Sequence, residues 1–457
     1  VVAQPVRIFR RAENNTLRIA AIVLGVLAVL GLLGYGLGRL VFPSVLLPHS
    51  VALFRLRTAS GAELEEALAM SVAEDLKDAL TISGKTDVVD ARSAAVADPL
   101  TQGFRISAES ILTGTVMIAE TIVKTQLALT RVNDGKVIWT GNFDGPASSW
   151  FVIGDKAASS LITALLHEVP VVQHHTADPA ADQLYWRGML AMRPGTQEGL
   201  KTAITHFQAS ALKDPAHALA WAGLADASIL LAAFDVPFRN QLIPRAKAAA
   251  RRAIELDPTI AEPHATLAMI AAKSDWDWDE SERELKRALD LNPHYAPAYH
   301  AYGKLLVLTG KTDAGLAALR QAAHLDPLSP QIAADQVKYL YLSQRYDDAI
   351  SSGRELPEVT ASVHRWLAAA YLAKGMTEQQ KAELNLAEAG QPAAIPDSFD
   401  LAVTEAQAGN KDKAFPLLED AFSKHLEGMT GLKVDPRLEN LRTDARFGVL
   451  LRKMRLA

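Results

Sequence analysis

The chain contains no cysteine. Disulfide staples and thiolate metal sites are therefore excluded, and an oxidising compartment, where stray thiols are a liability, is compatible with the composition. Basic charge is not in excess: 47 Lys and Arg against 52 Asp and Glu leave a net charge of −5. Without a basic stripe a polyphosphate backbone finds little to hold, so nucleic-acid binding by these residues is not expected. A catalytic constellation is also missing. His174 and His175 are adjacent in a linker with no carboxylate at ligand spacing, so a surface pair outweighs a metal site. Glu65, Glu66, Glu74 and Asp75 fall between the apolar positions of an amphipathic helix, where solvated charge is expected rather than acid–base work. No enzyme activity, cofactor or metal is expected.

The 457 residues, 49% apolar and 22% charged, are enough for two or three folded domains. From Ile19 to Gly38 the chain runs about twenty residues without a charge, long enough as a helix to match a roughly 30 Å hydrocarbon core. The run is too long for a cleaved signal peptide, and no small-residue cleavage site follows it. Its glycine-rich end, GLLGYG, has no strand before it and is no dinucleotide loop. Arg7, Arg10, Arg11 and Arg18 precede the run and only Arg39 follows closely, which by the positive-inside bias puts the N-terminus in the cytoplasm. The expectation is a cytoplasmic stub at 1–16, a transmembrane helix at 17–42 and a linker at 43–50. Gly34 and Gly38 form a GxxxG pair, a spacing that lets two copies pack closely and that non-dimerising spans also carry, so a homodimer stays an open reading. Because the first residue is Val1 and not methionine, a further N-terminal part is expected.

Residues 51–169 read as a small α/β domain. Val51–Leu56 has strand composition, and Leu64, Leu68, Val72, Leu76 and Leu80 recur every fourth residue through a helix at 62–82. A strand at Thr86–Val89 and a short helix at Ala91–Ala97 come next. Ser110–Ile118, Thr121–Val132 and Lys136–Phe143 form a meander, with Asn133, Asp134 and Gly135 supplying its second turn. A helix at Trp150–Glu168 closes this βαβ-plus-meander unit, and 170–182 is a linker.

Residues 183–457 are almost wholly helical in pattern. Asp or Asn followed by proline recurs at Pro215, Pro258, Pro293 and Pro327; the last two intervals match the tetratricopeptide period, and the first needs an insertion around Phe234–Ile243. Small and apolar residues sit where two helices of a hairpin must touch: Ala268, Ser281, Leu285 and Ala288 in one unit, Gly303, Gly315, Leu319 and Ala322 in the next. Six to seven helical pairs are expected, stacked as an α-solenoid with a concave groove. The register nominates Asp226, Ile229, Met269, Lys273, His300 and Lys304 as groove residues facing a protein or peptide partner. Trp276 and Trp278 read as packing, with Asp279 as a helix cap. The fold class is mainly α: a single transmembrane helix, a small α/β domain, then a tetratricopeptide solenoid.

VALFRL, SVAEDLKDAL, ILTGTV, GKVIWTGNFDG and GDKAASSLITALL together resemble the TolB N-terminal-like module that precedes tetratricopeptide repeats in bacterial membrane regulators, although the loop after the first strand is shorter here. Trp276–Pro330 and Val434–Met454 resemble the repeats and closing helix of CadC-like (ToxR-type) transmembrane transcriptional regulators and of cyclase- and kinase-linked relatives. VVAQPV resembles the end of a winged-helix DNA-binding domain. The resemblance implies an inner-membrane, single-pass protein whose bulk is periplasmic. That bulk would be the sensing and protein-interaction region of a one-component regulator, touching DNA only through a winged helix upstream of residue 1. The alternatives are a membrane-tethered scaffold for envelope assembly and the sensor region of a cyclase- or kinase-linked receptor; a lipoprotein-like secreted factor is a weaker third class.

Overall fold

The computed structural model describes residues 48–93, 96–149, 151–166, 176, 178–234, 239–356, 359–389 and 396–457. Two units are separated, Val1–Leu47 and Pro48–Ala457, and all the described residues belong to the second. The expected membrane span is corrected here: among the described residues no helix is long and apolar enough to cross a membrane. The apolar run Ile19–Gly38, its packing glycines Gly34 and Gly38, and the stub before it lie outside the described residues. The single-pass inner-membrane placement therefore has no structural counterpart and is withdrawn.

Strand β1 (Ser50–Phe54) lies at the heart of the α/β domain because Val51, Ala52 and Leu53 lose all solvent contact and Phe54 nearly all. Burial on both faces is what a central parallel strand requires. Two parallel neighbours flank it, β3 (Asp87–Ala91) and β4 (Ser110–Ala119), while the two-residue β2 (Arg57–Thr58) adds to β4. The sheet continues antiparallel through β5 (Ile122–Arg131) and β6 (Val137–Pro146), in the order β3-β1-β4-β5-β6. The expected β5–β6 turn is present. Gly135 takes a φ of 66°, and the Asp134 carboxylate accepts from the Lys136 amide. Helix α1 (Glu63–Ser83) buries Leu68, Val72, Leu76 and Leu80 and packs on the closing helix α3 (Phe151–Leu166), which buries Ala158, Leu161 and Ile162. Among the described residues of the expected helix at Ala91–Ala97, none is helical. Strand β3 runs to Ala91, and the helix begins instead at α2 (Pro99–Arg105), where the Asp98 side chain accepts from two first-turn amides.

The acidic residues of α1 are not the solvated face that their spacing suggests. Glu65 is buried and accepts from the Ser60 amide and hydroxyl and from the Ile118 amide at 2.8 Å, clipping the helix to β4. Glu66 takes Arg55 at 2.6 Å and the Thr58 hydroxyl at 2.7 Å.

The helical half is a stack of hairpins, and it opens at Pro179, slightly before the expected boundary. The pairs are α4 (Pro179–Met192) with α5 (Gln197–Lys213), α6 (Ala218–Phe234) with α7 (Arg239–Leu256), α8 (Glu262–Ile270) with α9 (Trp278–Leu291), and α10 (Ala296–Leu308) with α11 (Thr312–Leu325). Then follow α12 (Pro330–Leu342) with α13 (Tyr346–Glu355), α14 (Ala361–Ala373) with α15 (Thr377–Glu388), and α16 (Ser398–Gln407) with α17 (Lys411–Ser423). A last helix, α18 (Ala445–Lys453), follows two short 3-10 segments, Glu427–Gly431 and Pro436–Leu441.

The residue before three of the four repeat prolines explains the motif. Asp214, Asn292 and Asp257 each accept, through the side chain, the amide two residues on, closing a turn in which proline fixes φ between one hairpin and the next. Inside the hairpins the small residues act as the period implies. A Cβ on Gly303 would come within 2.7 Å of Leu319 Cγ, and one on Gly315 within 2.7 Å of the Gly303 carbonyl oxygen. Helices α10 and α11 therefore touch backbone to backbone. In the first repeats Phe207, fully buried, fills the space left by Gly188 and Gly223.

The α/β domain packs on this array through α1 against α4 and again at the turn between α11 and α12. Arg187 Nε of α4 lies 3.4 Å from Glu63. At the turn between α11 and α12, Leu328 joins the apolar cluster of Ala52, Phe54, Val89 and Ala91, while the Ser93 hydroxyl donates to Asp326 and His324 meets Asp87 at 2.8 Å.

Candidate functional site: the inner groove of the repeats

The first helices of successive hairpins line the inner face of a tetratricopeptide array, so residues at the repeat spacing on these helices form ladders there. One ladder is cationic. Lys273 stands in the π-turn Ala271–Asp275 that extends α8, Lys304 on α10, and Lys338 on α12.

Each lysine has a different environment. Lys273 forms an ion pair with Glu427 at 2.7 Å. Lys304 reaches Asp335 at 2.9 Å, and His300 Nε2 meets the same carboxylate at 2.8 Å. Burial alone would raise the Asp335 carboxyl, but the Lys304 ammonium and the His300 hydrogen bond hold it well below the usual carboxylate range. Burial likewise opposes the charge on Lys304, and Asp335 outweighs it, raising that ammonium's pKa. Lys338 is the exception. Among the described residues no carboxylate lies within ion-pair distance of its ammonium, which sits 5.4 Å from the centre of the Tyr339 ring and 5.7 Å from that of Trp366. Burial, with the neighbouring Lys304, lowers its pKa.

Beside Lys338 a cavity of about 300 Å³ remains open, with Arg365, Trp366, Asp400 and Arg437 among its walls. The Arg437 guanidinium stacks 5.2 Å over Trp366 and is held by Asp435 at 2.6 Å. Arg365 makes no ion pair among the described residues.

The rest of the groove is not empty, because the chain's own C-terminal segment lies in it. Glu427 enters opposite the lysine ladder; burial would raise its carboxyl, and Lys273, Lys304 and Lys338 together lower it to about 2. His425 Nδ1 lies 3.2 Å from the Lys273 carbonyl, and Arg239 Nη1 donates to the His425 carbonyl at 3.2 Å. Trp276, at a left-handed φ of 52°, stacks on His425 at 5.2 Å and on Phe422 at 6.0 Å. Trp278 Nε1 donates to the Met454 carbonyl at 2.6 Å. The tryptophans are packing residues as expected, but what they pack against is the C-terminus. The cap of α9 is Asp277, which accepts from the Glu280 amide, and not Asp279.

Of the six nominated groove residues, the structure brings three together: Lys273, His300 and Lys304. Asp226 lies apart on α6, half-buried, its carboxyl raised to about 6 by burial and by Glu262. Ile229 does not line the groove. It is buried against Ala246 and Ile270, with Met269 packed on the same cluster, because α6 turns that edge toward both α7 and α8. His174 and His175 lie outside the described residues. Sequence reasoning missed Asp335, Lys338, Trp366 and Glu427. Lys338 had a signal, since it follows Lys304 by 34 residues, one repeat; Glu427 had none, because its place depends on the chain folding back.

No protein-family model matches the chain, and no curated protein matches it, so the resemblance to CadC-like regulators stands on the quoted segments alone. Solved structures do overlap with it. PilW, described as a widely conserved type IV pilus biogenesis factor, is 17% identical, with 48% of this chain and 96% of that one covered at a TM-score of 0.39. YrrB, described as a TPR protein with an unusual peptide-binding site, is 15% identical, with 44% and 93% covered at 0.29. A tetratricopeptide repeat protein from Parabacteroides merdae is 13% identical, with 57% and 98% covered at 0.36. Overlap this loose carries no argument about function, and the repeat assignment rests on the hairpins, turns and glycine contacts of the chain itself.

Proposed function

We propose that this chain is a non-catalytic protein-interaction scaffold, whose repeats hold a segment of a protein partner with an acidic side chain placed beside Lys338. One observation carries the reading. In a groove where Asp335 and Glu427 already answer Lys304 and Lys273, the Lys338 ammonium and the Arg365 guanidinium have no carboxylate at ion-pair distance among the described residues, and both border an open cavity with an aromatic wall. A half-buried ammonium beside two rings, with an exposed guanidinium on the same rim, favours an incoming carboxylate, since charge-assisted hydrogen bonds are roughly twice as strong as neutral ones. That the groove accepts irregular polypeptide is supported by the Glu427–Gly431 segment already lying in it.

The test is fluorescence anisotropy with a library of extended peptides in which Asp or Glu is moved along the sequence. Peptides with a correctly placed acid bind saturably, and Lys338→Met weakens them at least tenfold. Binding that ignores both the acid and Lys338 refutes the reading.

The finer form of the proposal is that this scaffold is the sensing half of a one-component transcriptional regulator, any DNA contact belonging to a domain outside these residues. Its support is the resemblance of Trp276–Pro330 and Val434–Met454 to such regulators. A reporter assay in which deletion of residues 183–457 leaves regulation by every tested stimulus unchanged refutes it.

A further inference from the structure

The α/β domain contains a second, chemically different cavity. Strand order β3-β1-β4 means that the chain leaves β1 in one direction, to β3 through α1, and returns across it to β4 through α2. The two crossovers lie on opposite faces. Ala52, Phe54, Val89 and Ala91 share one face with Ile111, against which Gly103 of α2 rests, while the alternate residues Val51 and Leu53 turn toward α1. Open α/β sheets take ligands in a crevice where crossovers reverse in this way, and here that place lies over the end of β1, β2 and β4 on the α2 side.

The crevice is present, with a volume of about 640 Å³, within the range of small-molecule sites. Its floor is apolar: Phe54, Leu56 and Ile111 are buried there. Its rim is polar. Arg57 and Thr115 are paired in register across β2 and β4, and Thr113 and Thr130 line the same wall.

The charges at the rim are unevenly matched. Arg55 is taken by Glu66 at 2.6 Å, and the second oxygen of Glu66 accepts from the Thr58 hydroxyl. The Asp98 carboxylate is engaged by the first-turn amides of α2 and by the Thr101 hydroxyl. Arg57 makes no ion pair among the described residues, and its Nη2 donates only to the Ala97 carbonyl at 3.0 Å. The Thr113, Thr115 and Thr130 hydroxyls have no hydrogen-bond partner among the described residues. One unanswered guanidinium, several spare hydroxyls and an apolar floor define an amphipathic ligand with a single negative end.

We propose that this crevice binds a small organic carboxylate, its anionic group between Arg57 and the Thr115 hydroxyl and its apolar body on Phe54, Leu56 and Ile111. The assignment does not depend on the groove reading, since no groove residue borders the crevice. The Arg55–Glu66 pair that walls it also faces the repeats, Arg193 lying 3.8 Å from Glu66.

The experiment is isothermal titration of the whole chain with a panel of aliphatic and aromatic monocarboxylates, their primary amides and the matching amines. At least one acid binds saturably at one site, its amide binds at least tenfold more weakly, and Arg57→Met and Thr115→Val each weaken it while leaving Tm unchanged. Lys136→Met, at the exposed β5–β6 turn, has no effect. The proposal is overturned if no acid in the panel saturates, if amines bind as well as acids, or if a folded Arg57→Met chain binds as the parent does.

Discussion

Glu427 makes a 2.7 Å ion pair with Lys273, joining the segment after the last hairpin to the π-turn of the third. Ion pair and stacking are unequal partners in this closure. Both charges are more than a third exposed, and such pairs contribute about 0.2–1 kcal/mol. Glu427→Gln is therefore expected to change stability by no more than about 1 kcal/mol while raising hydrogen exchange across residues 424–441. Trp276→Ala removes a buried ring stacked on His425 and Phe422, and a loss of about 3–5 kcal/mol is expected. Urea unfolding of the two variants checks the ordering; equal losses contradict it.

Asp335 anchors the middle of the groove. Replacing it with Asn leaves Lys304 buried without its carboxylate, a change expected to cost about 3–5 kcal/mol. Asp335→Asn combined with Lys304→Met should cost less than the sum of the two single changes, because the second removes the stranded charge. Strict additivity in a double-mutant cycle contradicts the coupling.

Stability should pass through a maximum on the acid side of neutrality. Asp226 and Asp326 are each raised to about 6, chiefly by burial, with Glu262 adding to the first and Asp90 to the second. A carboxyl raised in the folded state binds its proton more tightly there, so stability increases as pH falls from about 7 towards 5. Asp335 and Glu427 act oppositely, because Lys304 and the lysine ladder lower them. Their contribution is present above the unfolded values near 4 and is lost as pH falls below them. Thermal unfolding from pH 3 to pH 8 measures the curve. A Tm that rises steadily from pH 5 to pH 8 contradicts it, and Asp226→Asn should flatten the fall above pH 5.

Helix contact through glycine gives a steric prediction. A methyl on Gly303 would fall 2.7 Å from Leu319 Cγ and 2.8 Å from the Gly315 carbonyl, and one of these is backbone that cannot step aside. Gly303→Ala is expected to destabilise by about 1–3 kcal/mol despite alanine's better helix propensity. Gly195→Ala, where a Cβ meets nothing but φ is 63°, tests the other origin of glycine preference, and its loss should come from backbone strain alone.

What the sequence could tell divides along the same physical line. Periodic features were legible because packing repeats them: the Asp/Asn-Pro turns, the Gly303–Gly315 contact, the four-residue apolar spacing of α1 and the meander turn at Gly135. Features that depend on distant residues were not. Glu65 carries the charge of a solvent residue and is buried because three donors from Ser60 and Ile118 converge on it. Ile229 has groove register but is buried between its partner helix, at Ala246, and the next hairpin, at Ile270, and Glu427 reaches the lysine ladder only once the array curves back on itself. The α2 start was missed because its signal is local but brief, an Asp98 cap followed by Pro99 in a stretch otherwise resembling loop.

Closure of the groove by the chain's own C-terminal segment is the central claim, and the absence of native cysteine makes it directly measurable. Lys273→Cys and Glu427→Cys introduced together should be joined by a short bismaleimide within one polypeptide, and mass spectrometry of the digested monomer should recover the linked peptides in high yield. If the two cysteines are each labelled but never linked in the folded monomer, the C-terminal segment does not lie in the groove.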